Sequence, residues 1–259
     1  MGEKNINSRY KVSVIFNFLN SGLNFASSIV IARTLLPQEY GNFQFLLAIF
    51  MSIFTVLNMG TQNGYFTFIS QKTRTYKFFI QYFIWEIIQL FAILLFIFAI
   101  SASLSSDIFL NDDKILIYLA AVSVFFTKNI KELIFNTFES KRFTLYYLGF
   151  VFAINVVYLF VVYMLSHYEI LSVYYIFAIL IVEYFVFLAV SIAIVIKNKK
   201  YFVNSFKRSS LQLTIYRYFL YAKPLFLSII VGVIYAFSEK WLLQKFGGSV
   251  QQAYLAIAS

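Results

Sequence analysis

The chain has no cysteine and a single histidine, His167. This leaves no material for a disulfide framework, a thiolate nucleophile, thiolate-bound zinc or a histidine metal cluster. Nine glycines and two prolines exclude a collagen-like or low-complexity chain. No G-x-x-x-x-G-K-S/T run is present, so ATP is not hydrolysed on this chain. Charge is scarce as well: 12% of residues are charged, where soluble domains carry about 25%. What fills the gap is apolar. Of 259 residues, 61% are hydrophobic, with 33 Phe and 20 Tyr, and the mean hydropathy is +0.78. A globule of this size has too little interior to hide that much apolar surface, so the solvent that fits is the bilayer.

A helix that crosses the hydrocarbon needs roughly 20 apolar residues, because only a helix or a closed barrel satisfies its own backbone there. Seven stretches qualify: residues 12–32, 40–59, 78–101, 115–135, 145–165, 171–196 and 219–237, and an eighth begins near 250. The first two are joined by Leu36-Pro37-Gln38-Glu39, and the third is followed by an acidic loop with Asp107, Asp112 and Asp113. Lys128, Lys131 and Glu132 interrupt the last third of the fourth. Unbroken apolar runs without strict alternation argue against a β-barrel. The first stretch is full length, lacks an A-x-A site and turns directly into another span, so it reads as a retained helix rather than a signal peptide. With the N-terminus inside, 16 of the 21 basic residues fall on the cytoplasmic side and four (Arg33, Lys114, Lys240, Lys245) outside, while Lys223 sits within the seventh span. This positive-inside bias explains the net charge of +10 without nucleic acid. Membrane lipids remain as partners, with anionic headgroups facing residues 197–208.

One weak repeat is present. Arg33-Thr34-Leu35-Leu36 closes the first span and Lys240-Trp241-Leu242-Leu243 the seventh, and in both cases a glycine-containing turn (Gly41; Gly247-Gly248) precedes the next apolar run. Six spans separate the copies, and an even number restores orientation, so this predicts a parallel repeat of two six-helix lobes. Ala32-Arg33-x-Leu35-x-Pro37-x-x-Tyr40-Gly41 resembles the A-R-x-L-G-P-x-x-Y/F-G turn of polysaccharide-export flippases of the MOP superfamily, the Wzx-like O-antigen and capsule transporters. Asn58-Met59-Gly60, residues 138–143 and residues 221–226 fall where that family ends span two, ends span four and begins span seven. Leu36 replaces the family glycine, and Glu239-Lys240 its usual Asp-Arg. The resemblance implies an all-α polytopic membrane protein of MOP/MATE-like build. Residues 1–210 would form a six-helix N-terminal lobe and 211–259 the start of the second. Family members continue through a full second lobe, so the resemblance implies a fragment.

Span one carries Ser13, Asn17, Asn20, Asn24 and Ser28 on one helical face. Each asparagine alone reads as glue between helices, whereas five polar residues in register read as the wall of a wet cavity. Ser52, Thr55, Asn58 or Met59, and Gln62 continue the pattern on span two. Glu86, with Gln89 nearby, and Glu183 lie near the middle of spans three and six. Each is either a carrier of a coupling ion or a hydrogen-bonded strut between helices. Lys128 and Lys223 are shallow enough to snorkel to the cytoplasmic side, where they could also bind phosphate. Arg33, at the outer end of span one, suits pyrophosphate, headgroups or closure of the turn. Pro224 is placed either in a first turn or at a kink, and Gly60 and Gly64 mark a turn. The resemblance implies a secondary transporter, not an enzyme. It would flip an isoprenoid-diphosphate-linked glycan (an O-antigen or capsule repeat unit) across the bacterial inner membrane, without cofactor or metal, alongside polysaccharide polymerase and export machinery. A MATE-like drug exporter is the first alternative, and a membrane-embedded polymerase or acyltransferase the second.

Overall fold

A computed structural model describes residues 3–70, 75–103, 114–140, 143–197 and 211–258. The acidic loop with Asp107, Asp112 and Asp113 lies outside these, as do Lys72, Arg74, Lys141, Arg142 and residues 198–208. Among the described residues every regular element is helical. Six helices are long and apolar enough to cross a membrane: Tyr10–Thr34, Pro37–Asn58, Phe78–Ala99, Thr144–His167, Val173–Ile194 and the stretch Phe219–Ala258. This is the pattern of an all-α, multi-pass membrane protein. The exposed surface agrees, since Phe18, Phe25, Phe91, Leu95, Phe98 and Leu227 each expose more than half their area, an arrangement that water would penalise and acyl chains do not.

Helix ends follow local chemistry. Helix α1 (Glu3–Thr34) gives way to α2 (Pro37–Asn58), which starts at proline because a first-turn residue needs no N–H donor. Met59 takes the left-handed conformation and donates to the carbonyls of Thr55 and Val56, and Gly60 follows at φ 73°. Gly60 is thus the turn expected from the sequence, but Gly64 is not: it is buried within a further short helix, α3 (Thr61–Ser70). Helix α4 spans Thr75–Ser103. The fourth apolar stretch is α5 (Lys114–Val124), a π-helical segment (Phe125–Ile130) and α6 (Lys131–Ser140) in direct succession. Helices α7 (Thr144–His167) and α8 (Val173–Lys197) form the next hairpin.

Helix α9 (Leu211–Leu242) starts well before the apolar run that marks it in the sequence, so Pro224 lies in its interior rather than its first turn. A second π-helical segment (Leu243–Gly247) leads through Gly248, at φ 75° and ψ 176°, into α10 (Gly248–Ala258).

Packing centres on α2, which touches α5, α8, α9 and α10, while α1 lies along α7. Thr34 and Ser166 hydroxyls, 2.6 Å apart, tie the ends of that last pair. Rings fill the interior: Phe54 meets Phe125 at 5.8 Å, Tyr65 stacks on Tyr82 at 4.5 Å and Phe150 on Phe187 at 5.2 Å. Such aromatic pairs add packing energy beyond their burial.

Candidate functional site: a buried polar cluster at a π turn

The π-helical segment widens one turn of the fourth span, a departure that often coincides with function. It sends two consecutive polar side chains across to α2 and α4. Lys128 Nζ donates to the Met51 carbonyl at 2.8 Å and contacts the Thr55 hydroxyl, both on α2. Thr55 Oγ1 itself donates to Met51 O at 2.6 Å. The ammonium is therefore held against the neighbouring helix. Asn129, fully buried, donates from Nδ2 to Glu86 Oε2 at 2.7 Å and accepts at Oδ1 from Asn58 Nδ2 at 3.3 Å.

Around this link the cluster spreads. Thr61 Oγ1 donates to the Asn58 carbonyl at 2.6 Å and lies 3.2 Å from the Tyr82 hydroxyl, one turn from Glu86 on α4. The Tyr65 hydroxyl meets Thr137 Oγ1 at 2.6 Å. Four helices and the π turn thus converge on one patch of hydrogen bonds inside the bundle. Two oxygens in it, Glu86 Oε1 and Asn58 Oδ1, have no partner, nor has either polar atom of Gln89 on the next turn. A buried acceptor without a donor is costly, so this patch suits a proton, a water or a small cation. No group of three or more His, Cys, Asp or Glu capable of holding a metal occurs among the described residues.

Of the residues singled out in the sequence, Asn58, Glu86 and Lys128 are brought together here. Lys223 is nearby: with Met59, Tyr216 and Phe226 it lines a cavity of about 350 Å³ beside the end of α2. Glu183 is elsewhere, between α7 and α8. Arg33 is exposed on the last turn of α1. The polar stripe of α1 divides. Asn17 and Asn24 are exposed, whereas Asn20 is buried and accepts at Oδ1 from Asn155 Nδ2 of α7 at 3.0 Å, so for Asn20 the glue reading fits. Asn129, Asn155 and Tyr82 were not singled out in the sequence. Asn129 had one signal, its place beside Lys128 in an otherwise apolar span.

A second feature joins the two copies of the sequence repeat. Gly41, near the start of α2, lies directly against the backbone of Ser249 in α10. Beside it the Asn42 Oδ1 accepts from Gln244 Nε2 at 3.1 Å and from the Ser249 hydroxyl, while Gln244 Nε2 also reaches Ser249 Oγ at 2.9 Å. No protein-family model matches this chain, and comparison with curated proteins and with solved structures gives no match.

Proposed function

We propose that the protein is a secondary transporter of MOP type that flips an isoprenoid-diphosphate-linked oligosaccharide across the bacterial inner membrane by alternating access. The observation that carries this reading is the meeting of the two repeat copies: the turn after α1 and the turn after α9 bring α2 and α10 together at Gly41 and Ser249. In a transporter built from repeats, gates form where corresponding elements of the two halves touch. With the N-terminus cytoplasmic, as the basic residues suggest, this contact closes the outer end of a cleft between an N-terminal lobe (residues 1–210) and the beginning of a second (211–259).

In this scheme Asn17 and Asn24, exposed on α1, offer amides to the glycan. Lys223, beside its cavity, and Arg33 offer charge to the diphosphate. The cluster of Glu86, Asn129, Asn58 and Lys128 lies on α2, α4 and the π turn, behind the gate helix. Occupation of its unpartnered oxygens by a proton or small cation would change how α2 is held, and so couple ion movement to the gate. The test is expression of the protein in a flippase-null bacterium. Restored surface polysaccharide, lost again in Glu86→Gln, is the expected result. Absence of any restoration across a panel of lipid-linked glycans, with the protein present in the membrane, would count against the proposal.

A further inference from the structure

The cavity of about 350 Å³ beside the end of α2 has one cation, Lys223, in a lining that is otherwise apolar or aromatic, with Met59 of α2 facing Phe219, Leu220 and Phe226 of α9. Tyr216, Leu220 and Lys223, all in the lining and all exposed, stand at i, i+4 and i+7 and so share one face of α9. The apolar stretch of this helix begins at Phe219, and Lys223 follows four residues later, about 6 Å at 1.5 Å per residue. A lysine at that depth brings its ammonium to the boundary between acyl chains and headgroups, the level at which tyrosines such as Tyr216 also gather.

Two groups at this level are unanswered. Lys223 makes no hydrogen bond, ion pair or ring contact with any described residue. Pro224 lies in the helix interior and has no N–H, so the Leu220 carbonyl, four residues back, loses its helical donor. Helix carbonyls point toward the C-terminal end, which aims this one at the turn that carries Lys223. The complement is a molecule that brings a phosphate oxygen to the ammonium, an N–H donor to the carbonyl and apolar chains to Met59, Phe219 and Phe226. Inorganic phosphate has no chains. Phosphatidylcholine has phosphate and chains, but its methylated nitrogen has no N–H to give. Phosphatidylethanolamine has all three.

We propose that this cavity is a selective site for an aminophospholipid, whose phosphate pairs with Lys223 and whose ammonium donates to the Leu220 carbonyl freed by Pro224. The proposal goes beyond the flippase reading, which gives the same lysine a diphosphate, and lipid selectivity is measured without transport, so failure of either leaves the other standing. Trp85 of α4 supplies the probe, because its ring meets that of Phe219 in the cavity wall at 5.6 Å. The full chain carrying Trp241→Phe, which leaves Trp85 as the one tryptophan, is placed in nanodiscs of equal parts phosphatidylethanolamine and phosphatidylcholine, with brominated chains on one lipid or the other. Quenching of Trp85 is expected to report a preference of about fivefold for phosphatidylethanolamine, the worth of one net hydrogen bond. Pro224→Ala restores the helical donor and is expected to abolish the preference, whereas Lys223→Met is expected to lower quenching by both lipids. With helical content matched by circular dichroism, equal quenching by the two lipids in the Trp241→Phe chain would overturn the proposal, as would quenching that either further variant leaves unchanged. Reversal of the quenching by inorganic phosphate would make the occupant a free anion and overturn its assignment to a lipid.

Discussion

The contact between Gly41 and Ser249 invites a one-atom perturbation. A Cβ added at Gly41 would sit 1.8 Å from the Ser249 carbonyl oxygen and 2.6 Å from its carbonyl carbon. Both are backbone atoms, so no side chain can swing aside to make room. Ordinary contact begins near 3.4 Å, and Gly41→Ala must therefore separate α2 from α10 by about 1.6 Å (3.4 less 1.8). The Gln244 to Asn42 hydrogen bond, now 3.1 Å, would be stretched beyond useful length. Overpacking of this kind costs about 1–3 kcal/mol, which would shift the proposed open–closed equilibrium about 5- to 150-fold toward the open form. Because the native chain has no cysteine, spin labels attach cleanly to cysteines at exposed Gln38 and Tyr254, and pulsed electron resonance reads the distance between the helices. The expected result is a distribution moved to longer distances in Gly41→Ala. An unchanged distribution together with an unchanged melting temperature would refute the close approach of α2 and α10.

Other outcomes follow from the same geometry. Asn129→Leu removes the amide that bridges Glu86 and Asn58 and takes one hydrogen bond from each, so the unfolding midpoint in detergent should fall, by an amount equivalent to about 1–3 kcal/mol; an unaltered midpoint would contradict the bridge. Lys128→Met loses the contacts to the Met51 carbonyl and Thr55 and, under the proposed transport function, is expected to reduce flipping more than about tenfold while the protein still inserts; undiminished flipping would remove Lys128 from the proposed coupling cluster. Cysteines at Asn17 and Asn24, both exposed, should react with a hydrophilic maleimide, whereas a cysteine at Asn20, buried against Asn155, should not; equal reaction at all three would mean that α1 and α7 separate.

The spans were legible because the bilayer imposes a length requirement that a composition window detects directly. Six of the seven apolar runs lie in helices long and apolar enough to cross a membrane, the fourth being divided at its π turn, and the turns fall where backbone chemistry demands them: Pro37 at a first turn, and Gly60 and Gly248 at positive φ. Two elements escaped for the same reason. Helix α3 has ten residues, too few to register as a span, and the first turns of α9 carry Gln212, Thr214 and Arg217, which dilute the apolar signal without preventing a helix. Hydropathy reports what crosses the hydrocarbon, not where a helix ends in the interface.

The site was less legible, because facing partners decide it. Asn17, Asn20 and Asn24 share a helical face, and the sequence shows no difference among them; only the approach of α7 selects Asn20 for a buried bond and leaves its neighbours free. The fourth span shows a deeper limit. On a regular helix, Lys128 and Lys131, three residues apart, lie about 60° from one another. The π turn breaks that geometry. Lys128 reaches α2, while Lys131 sits over the Tyr184 ring of α8. A wide turn is less favourable than an α turn and persists where side chains gain from the altered direction. Here Lys128 gains the Met51 carbonyl and Thr55, and Asn129 gains Glu86 and Asn58. The polar residues that looked like interruptions of a span are thus the contacts that hold its backbone out of register.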